Sequence, residues 1–111
     1  MKRISQQAFN RELDRIRDGL SRYGARKAIL FGSYARGDYH AGSDVDLIII
    51  KDTDRPFLER SAEVWRHCGS SLTIEPLVYT PAEFARMTQE QNPLIEQVLR
   101  EGIAVYEDEP E

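Results

Sequence analysis

The chain of 111 residues has a single cysteine, Cys68, which excludes an internal disulfide, and no second cysteine or nearby histidine gives it a metal-ligand spacing. It reads as a small buried hydrophobe. Long apolar runs are missing too: none approaches the roughly 20 residues of a membrane helix. The opening Met1-Lys2-Arg3-Ile4-Ser5-Gln6-Gln7 turns polar where a secretory leader would build an apolar core, so a cytoplasmic address is expected. Internal repeats and linker-like stretches are lacking, which leaves residues 1–111 as one domain that buries roughly 60–70% of its unfolded surface in one core. A second, substrate-binding domain has no room. Positive charge is scarce after the first third: residues 1–36 hold nine Lys/Arg against three Asp/Glu, whereas residues 37–111 hold six against sixteen. Free DNA or RNA is therefore not an expected partner, because nucleic-acid affinity comes largely from clustered Lys/Arg neutralising phosphates. The basic front suits a nucleoside triphosphate or an acidic protein surface, or is simply a solvated helix face.

What is present is a regular alternation of element signals. Phe9, Leu13, Ile16 and Leu20 recur at helical spacing behind a Ser5 cap, with Ile4 and Phe9 placed as a hydrophobic staple, and Gly24 closes a helix over about 6–22. Residues 27–31 (Lys-Ala-Ile-Leu-Phe) read as a strand delivering the chain to Gly32. The run 45–50 (Val-Asp-Leu-Ile-Ile-Ile) is β-branched and apolar on both faces after its acidic opening, the pattern of a buried central strand. A helix over 54–69 is expected with Pro56 in its first turn and Leu58, Ala62 and Trp65 along one face. Residues 72–79 form a third strand in which Pro76, lacking an N–H, argues for an edge or a bulge. Thr80-Pro81-Ala82-Glu83 spells a capping box, Asn92-Pro93 restarts a helix carrying Leu94, Ile95, Val98 and Leu99, and Gly102 precedes a short apolar run, 103–106, before a tail that frays from Glu107. The order αβαβαα with a possible last edge strand implies an α/β (α+β) domain, a small mixed sheet with helices packed against it.

The chemistry sits around the third of the way along the chain. Residues two apart on a strand share a face, so Asp44 and Asp46 project their carboxylates side by side. Two adjacent negative charges resist joint ionisation unless a cation shares them, and Mg²⁺ is the hard divalent ion that bridges carboxylates to phosphates. Gly32, directly after a strand, lets backbone approach a phosphate, and Ser33 offers both an N–H and a hydroxyl. Alone, Gly-Ser is an ordinary turn and Asp-x-Asp a solvated pair; a phosphate turn and an acidic pair on successive strands make a stronger signal together. A two-metal site needs another carboxylate on a neighbouring strand, and Glu75 is the only acid inside the third strand. Trp65, Tyr79 and Phe84 read as core more readily than as nucleobase contacts, and Asp38, His40 and Ser43 as turn residues.

Gly32-Ser33, ten intervening residues and Asp44-Val45-Asp46 resemble the nucleotidyltransferase superfamily typified by DNA polymerase beta, most closely its minimal single-domain members. The likeness extends over nearly the whole chain, through Phe31 to Gly37, Tyr79 to Phe84 and Glu101 to Tyr106. In such proteins the third carboxylate stands six residues before the proline of the Thr-Pro step, the place of Glu75 before Pro81, although many relatives carry aspartate there. The resemblance implies a polymerase-beta-like fold and transfer of a nucleoside monophosphate, with ATP as the expected donor, to a hydroxyl. It also implies two Mg²⁺ ions held by Asp44, Asp46 and Glu75, and a triphosphate seated by Gly32 and Ser33, with Arg36 either touching phosphate or steadying the loop. Small members of this kind are often the antitoxin half of a HEPN/MNT toxin-antitoxin pair and adenylylate a tyrosine of the HEPN toxin, so a HEPN-type partner protein is expected, with homo-oligomerisation open. The alternatives are a non-catalytic toxin-binding module of the same fold, and an enzyme transferring to a small molecule such as an aminoglycoside.

Overall fold

The computed structural model describes residues 4–40 and 42–108. The opening tripeptide and the tail beyond Asp108, on which the leader and fraying expectations partly rest, lie outside the described residues. The elements run α1 (Gln6–Tyr23), β1 (Lys27–Phe31), α2 (Ser33–Arg36), β2 (Val45–Ile50), α3 (Phe57–His67), β3 (Ile74–Tyr79), α4 (Pro81–Gln89), α5 (Pro93–Glu101) and β4 (Ile103–Glu107). Local signals set most of these bounds: Ser5 Oγ accepts the Ala8 N–H, Gly24 closes α1 in the left-handed region, and Thr80 and Glu83 complete the capping box of α4. Asn92 Oδ1 accepts the Leu94 and Ile95 N–H groups at the start of α5. The short α2 adds one turn to the expected order, and Glu107 ends a strand where fraying was expected, its carboxylate 3.4 Å from Lys27.

One sheet has the order β3-β2-β1-β4, with β1 antiparallel to β2 and β4, and β3 parallel to β2. It is mixed, as the sequence implied. Alternation along the strands sends Ala28, Leu30, Val45, Leu47, Ile49 and Val78 to one core, shared with Phe9, Leu13, Ile16 and Leu20 of α1 and Val64 of α3. Ile29, Phe31, Ile48 and Ile50 form the other core, with Val98 of α5 and the half-buried Phe84, Leu77, Tyr79 and Leu94 packed on it. Each of these aliphatic residues contributes about 1.5–3 kcal/mol on full burial. Gly19 lets α1 cross α3 at close range, since a Cβ there would meet Cys68 Cα and Sγ at 2.7 Å. Cys68 is buried, as its sequence context suggested, and burial pushes its thiol up to about 11.

The helix α3 is shorter than 54–69 and is turned differently from its apolar pattern. Pro56 is its N-cap, Leu58 is 88% exposed and Trp65 55% exposed, while Arg60 and Val64 are buried. The reason lies in β3, an edge strand at whose two ends the carbonyls of Thr73 and Tyr79 accept from the Val45 and Lys51 N–H groups. By alternation the carbonyls of Ile74, Pro76 and Val78 point the other way, and α3 supplies their donors: Trp65 Nε1 at 3.0 Å, Ser61 Oγ at 3.2 Å and Arg60 Nη1 at 3.0 Å. Polar demand at the strand edge, more than apolar periodicity, sets the roll of α3. Pro76 sits where its missing N–H would also point outward, so the β2–β3 ladder loses nothing.

Candidate active site

At the C-terminal end of β1 the chain turns through Gly32 into α2. Gly32 adopts φ 75° and ψ −153°, a conformation open to glycine, and a Cβ there would overlap Asp46 Oδ2. The turn is anchored from below by Tyr34, whose ring stacks 4.6 Å from Phe9 of α1 and 4.4 Å from Tyr39 of the following loop. Tyr34 is buried and its hydroxyl has no hydrogen-bond partner among the described residues, with burial as the main cause of its raised pKa. Stacking fixes the turn while leaving Ser33 half-buried at its outer side.

The sheet register brings the acidic residues to that turn. Phe31, Asp46 and Glu75 occupy one row across β1, β2 and β3, because Asp46 pairs with Phe31 on one side and with Glu75 on the other. The row lies on the face of the second core, where alternation places Ile48 and Ile50 farther along β2. Asp46 is half-buried; Glu75 is exposed, and so is Asp44, one residue before β2 begins. Burial first, then the charges of Asp44 and Glu75, push the Asp46 carboxyl above the usual carboxylate range, with Arg36 opposing them. Excess negative charge of this kind fits a divalent cation, whose oxygen-ligand chemistry these three carboxylates match. Among the described residues the side chains are not gathered into a ready-made metal cluster.

Arg36 points its charge across the turn. Its Nε donates to Asp38 Oδ2 at 3.2 Å and its Nη1 to Glu101 Oε1 at 3.1 Å; the Asp38 hydrogen bond foremost, then the two negative charges, raise its pKa. Glu101, from the last turn of α5, also accepts the Gly32 N–H at 3.3 Å and Gln97 Nε2 at 2.8 Å, and the Gln97 bond is the chief cause of its lowered pKa. Sequence reasoning did not single out this residue as functional: 69 positions separate it from Gly32, and its one signal was its place in the family-like stretch Glu101-Gly102. Trp65 sits at the outer edge of β3, where its indole donates to Ile74 O, while Tyr79 and Phe84 pack in the second core. A cavity of about 390 Å³ opens on the other side of the turn, lined among others by Leu13, Arg17, Tyr34, Arg36 and Val105. The carboxylate row is not part of that cavity.

A glycine turn held against a strand aspartate, with Asp44 two residues before it and Glu75 opposite it on β3, has the chemistry to suit a phosphate and a cation, and comparison with known proteins places the chain in a family. The profile of the family "Polymerase beta, Nucleotidyltransferase" matches residues 14–111. The chain belongs to this family. Among curated relatives, it is 62% identical over 29 residues, 26% of this chain and 29% of the relative, to a candidate protein adenylyltransferase of Methanocaldococcus jannaschii (MJ0604). It is 36% identical over 58 residues, 48% of this chain and 58% of the relative, to a second from the same organism (MJ0141). The matches thus span less than two thirds of either curated relative. Among solved structures, a toxin-antitoxin crystal structure with AMP-PNP superposes with a TM-score of 0.64 at 17% identity, covering 87% of this chain and 74% of that one. That likeness establishes the fold: the polymerase-beta-like mixed sheet expected from the sequence.

Proposed function

We propose that this protein is a Mg²⁺-dependent nucleotidyltransferase that moves AMP from ATP to a hydroxyl on a partner protein, a tyrosine of a HEPN-type toxin, and so acts as its antitoxin. The observation that carries the reading is the row Phe31–Asp46–Glu75, which sets two carboxylates on adjacent parallel strands beside the Gly32 turn. The toxin-antitoxin and AMP-PNP content of the similar structure and the adenylyltransferase names of the relatives support the choice of ATP and of a protein acceptor. In this reading Asp44, Asp46 and Glu75 hold the metal. Bound there, Mg²⁺ would neutralise phosphate charge as it develops at the leaving oxygen.

The remaining work falls to the chain. Gly32 admits the outer phosphates to the backbone, Ser33 adds an N–H and a hydroxyl, and Arg36 adds positive charge. The acceptor oxygen forms a bond to the α-phosphorus as the bond from that phosphorus to the β-phosphate oxygen breaks. Pyrophosphate carries off the leaving electron pair, and the acceptor proton passes to Glu75 or to water. Catalysis rests on positioning and charge, without a covalent enzyme intermediate. The test mixes the purified chain with ATP, Mg²⁺ and the HEPN-type protein encoded beside it, and reads intact mass. An AMP-sized increase on one partner tyrosine is expected, absent with EDTA and with Asp46→Asn. If Asp44→Asn plus Asp46→Asn silences the toxin as well as wild type does, the protein is a binding module instead.

A further inference from the structure

Resting on that nucleotide-binding reading, we propose that Glu101 is a positioning residue: its carboxylate clasps the Gly32 turn and the Arg36 guanidinium together in the arrangement that receives the outer phosphates of the nucleotide. Three donors from different parts of the chain converge on one oxygen, Oε1: the Gly32 N–H at 3.3 Å, Arg36 Nη1 at 3.1 Å and Gln97 Nε2 at 2.8 Å. The side chain that receives them is itself fixed. Gln97 stands one turn earlier on α5, and α5 is capped by Asn92 and buried along Ile95 and Val98, so the carboxylate is mounted on a rigid element.

The clasp decides what Arg36 can do. Among the described residues, one of its five N–H donors goes to Asp38 and one to Glu101, on different nitrogens, which orients the guanidinium plane and leaves its other donors for a ligand. Without Glu101, the guanidinium, 44% exposed, is held by Asp38 alone, regains rotamer freedom, and must surrender it again when phosphate binds. The Gly32 N–H also loses its acceptor, at the residue whose unusual backbone conformation forms the turn. Charge between Glu101 and a bound phosphate is mediated by Arg36, which can bridge both.

The test compares wild type, Glu101→Ala, Glu101→Gln and, on the exposed side of the same helix, Glu96→Ala. Each 111-residue chain is titrated with Mg²⁺ and a non-hydrolysable ATP analogue by calorimetry, with thermal midpoints recorded and the Gly32 amide and Arg36 Nε–H signals followed by NMR without nucleotide. Glu101→Ala should weaken the analogue about tenfold, the loss expected for a charge-assisted orienting bond, with both NMR signals displaced. Glu101→Gln, which keeps an acceptor for Gly32 but drops the charge on Arg36, should fall between; Glu96→Ala should match wild type. A folded Glu101→Ala with wild-type affinity, or with unmoved signals, overturns the proposal. If Glu101→Ala does not fold, the same comparison made with Glu101→Gln decides. If wild type binds no analogue while the signals still move with Glu101, the nucleotide reading has failed, and the phosphate role of the clasp falls with it.

Discussion

The Cα of Gly32 lies against the carboxylate of Asp46, so near that any side chain at position 32 would collide with Oδ2. Turn and strand are thus fitted to one another. Gly32→Ala should lower stability by about 1–3 kcal/mol from backbone conformation, with the collision adding to it, and abolish nucleotide binding. Gly37→Ala is the control: φ there is 86°, but an added Cβ meets nothing within 4 Å, so urea unfolding should show the strain of about 1–2 kcal/mol alone.

Asp46→Asn separates charge from shape. The folded state raises the pKa of this carboxyl, so ionisation at neutral pH works against folding, and that penalty disappears as pH falls through the raised value. The amide removes it at every pH. The thermal midpoint at pH 7 should therefore hold or rise while AMP transfer falls on the order of 100-fold or more. A stability loss at pH 7 would contradict the electrostatic account.

Glu12 of α1 behaves in the opposite sense. Its Oε1 accepts the Ser71 hydroxyl at 2.6 Å and its Oε2 the Ser71 N–H at 3.3 Å, tying α1 to the segment before β3, and the Ser71 hydroxyl bond is the chief reason its pKa is lowered. A depressed carboxylate stabilises the fold above its unfolded pKa of roughly 4.3, and the contribution is lost as pH drops through the folded value. Glu12→Ala should cost about 1–3 kcal/mol at pH 7, and the gap to wild type in urea unfolding should narrow toward pH 3.

Arg60→Met tests the sealed edge. Arg60 is buried, and besides Val78 O its guanidinium reaches Glu83 Oε1 at 2.7 Å and Arg55 O at 3.0 Å. Truncation should cost about 3 kcal/mol and, by exposing a carbonyl of β3, promote self-association visible by light scattering.

Cys68 should resist thiol reagents in the native state at pH 8, because it is buried and its thiol is pushed up to about 11. Labelling should become fast only in urea, at a rate that follows unfolding.

Local chemistry made much of this legible in the sequence. Ser5, Gly24, the Thr80 box and Asn92 mark helix ends by bonds within four residues, and the β-branched run 45–50 announces a strand buried on both faces. Pro76, through the one group it lacks, pointed to an edge or a bulge, and β3 is an edge. What escaped was set by distant partners. The roll of α3 depends on carbonyls of β3 that have no counterpart in a helical wheel, so Arg60 is buried and Leu58 is not. The convergence of Gly32, Arg36 and Glu101 follows from α5 packing beside β1, which no spacing rule contains. Asp44, Asp46 and Glu75 were named from residue type and strand order; only the register set Asp46 opposite Glu75.

That parallel pairing also has a kinetic meaning. β1 and β2 are antiparallel neighbours and can zip as a hairpin-like unit, but β3 reaches Asp46 only after the chain has crossed over through α3. Loop closure through α3 must be met before this contact forms, so the two carboxylates are expected to meet after Phe31 and Asp46 have paired. A chain in which β3 has not docked would present the Gly32 turn and Asp46 without Glu75 beside them, so the completed acidic row reports that the α3 crossover has closed.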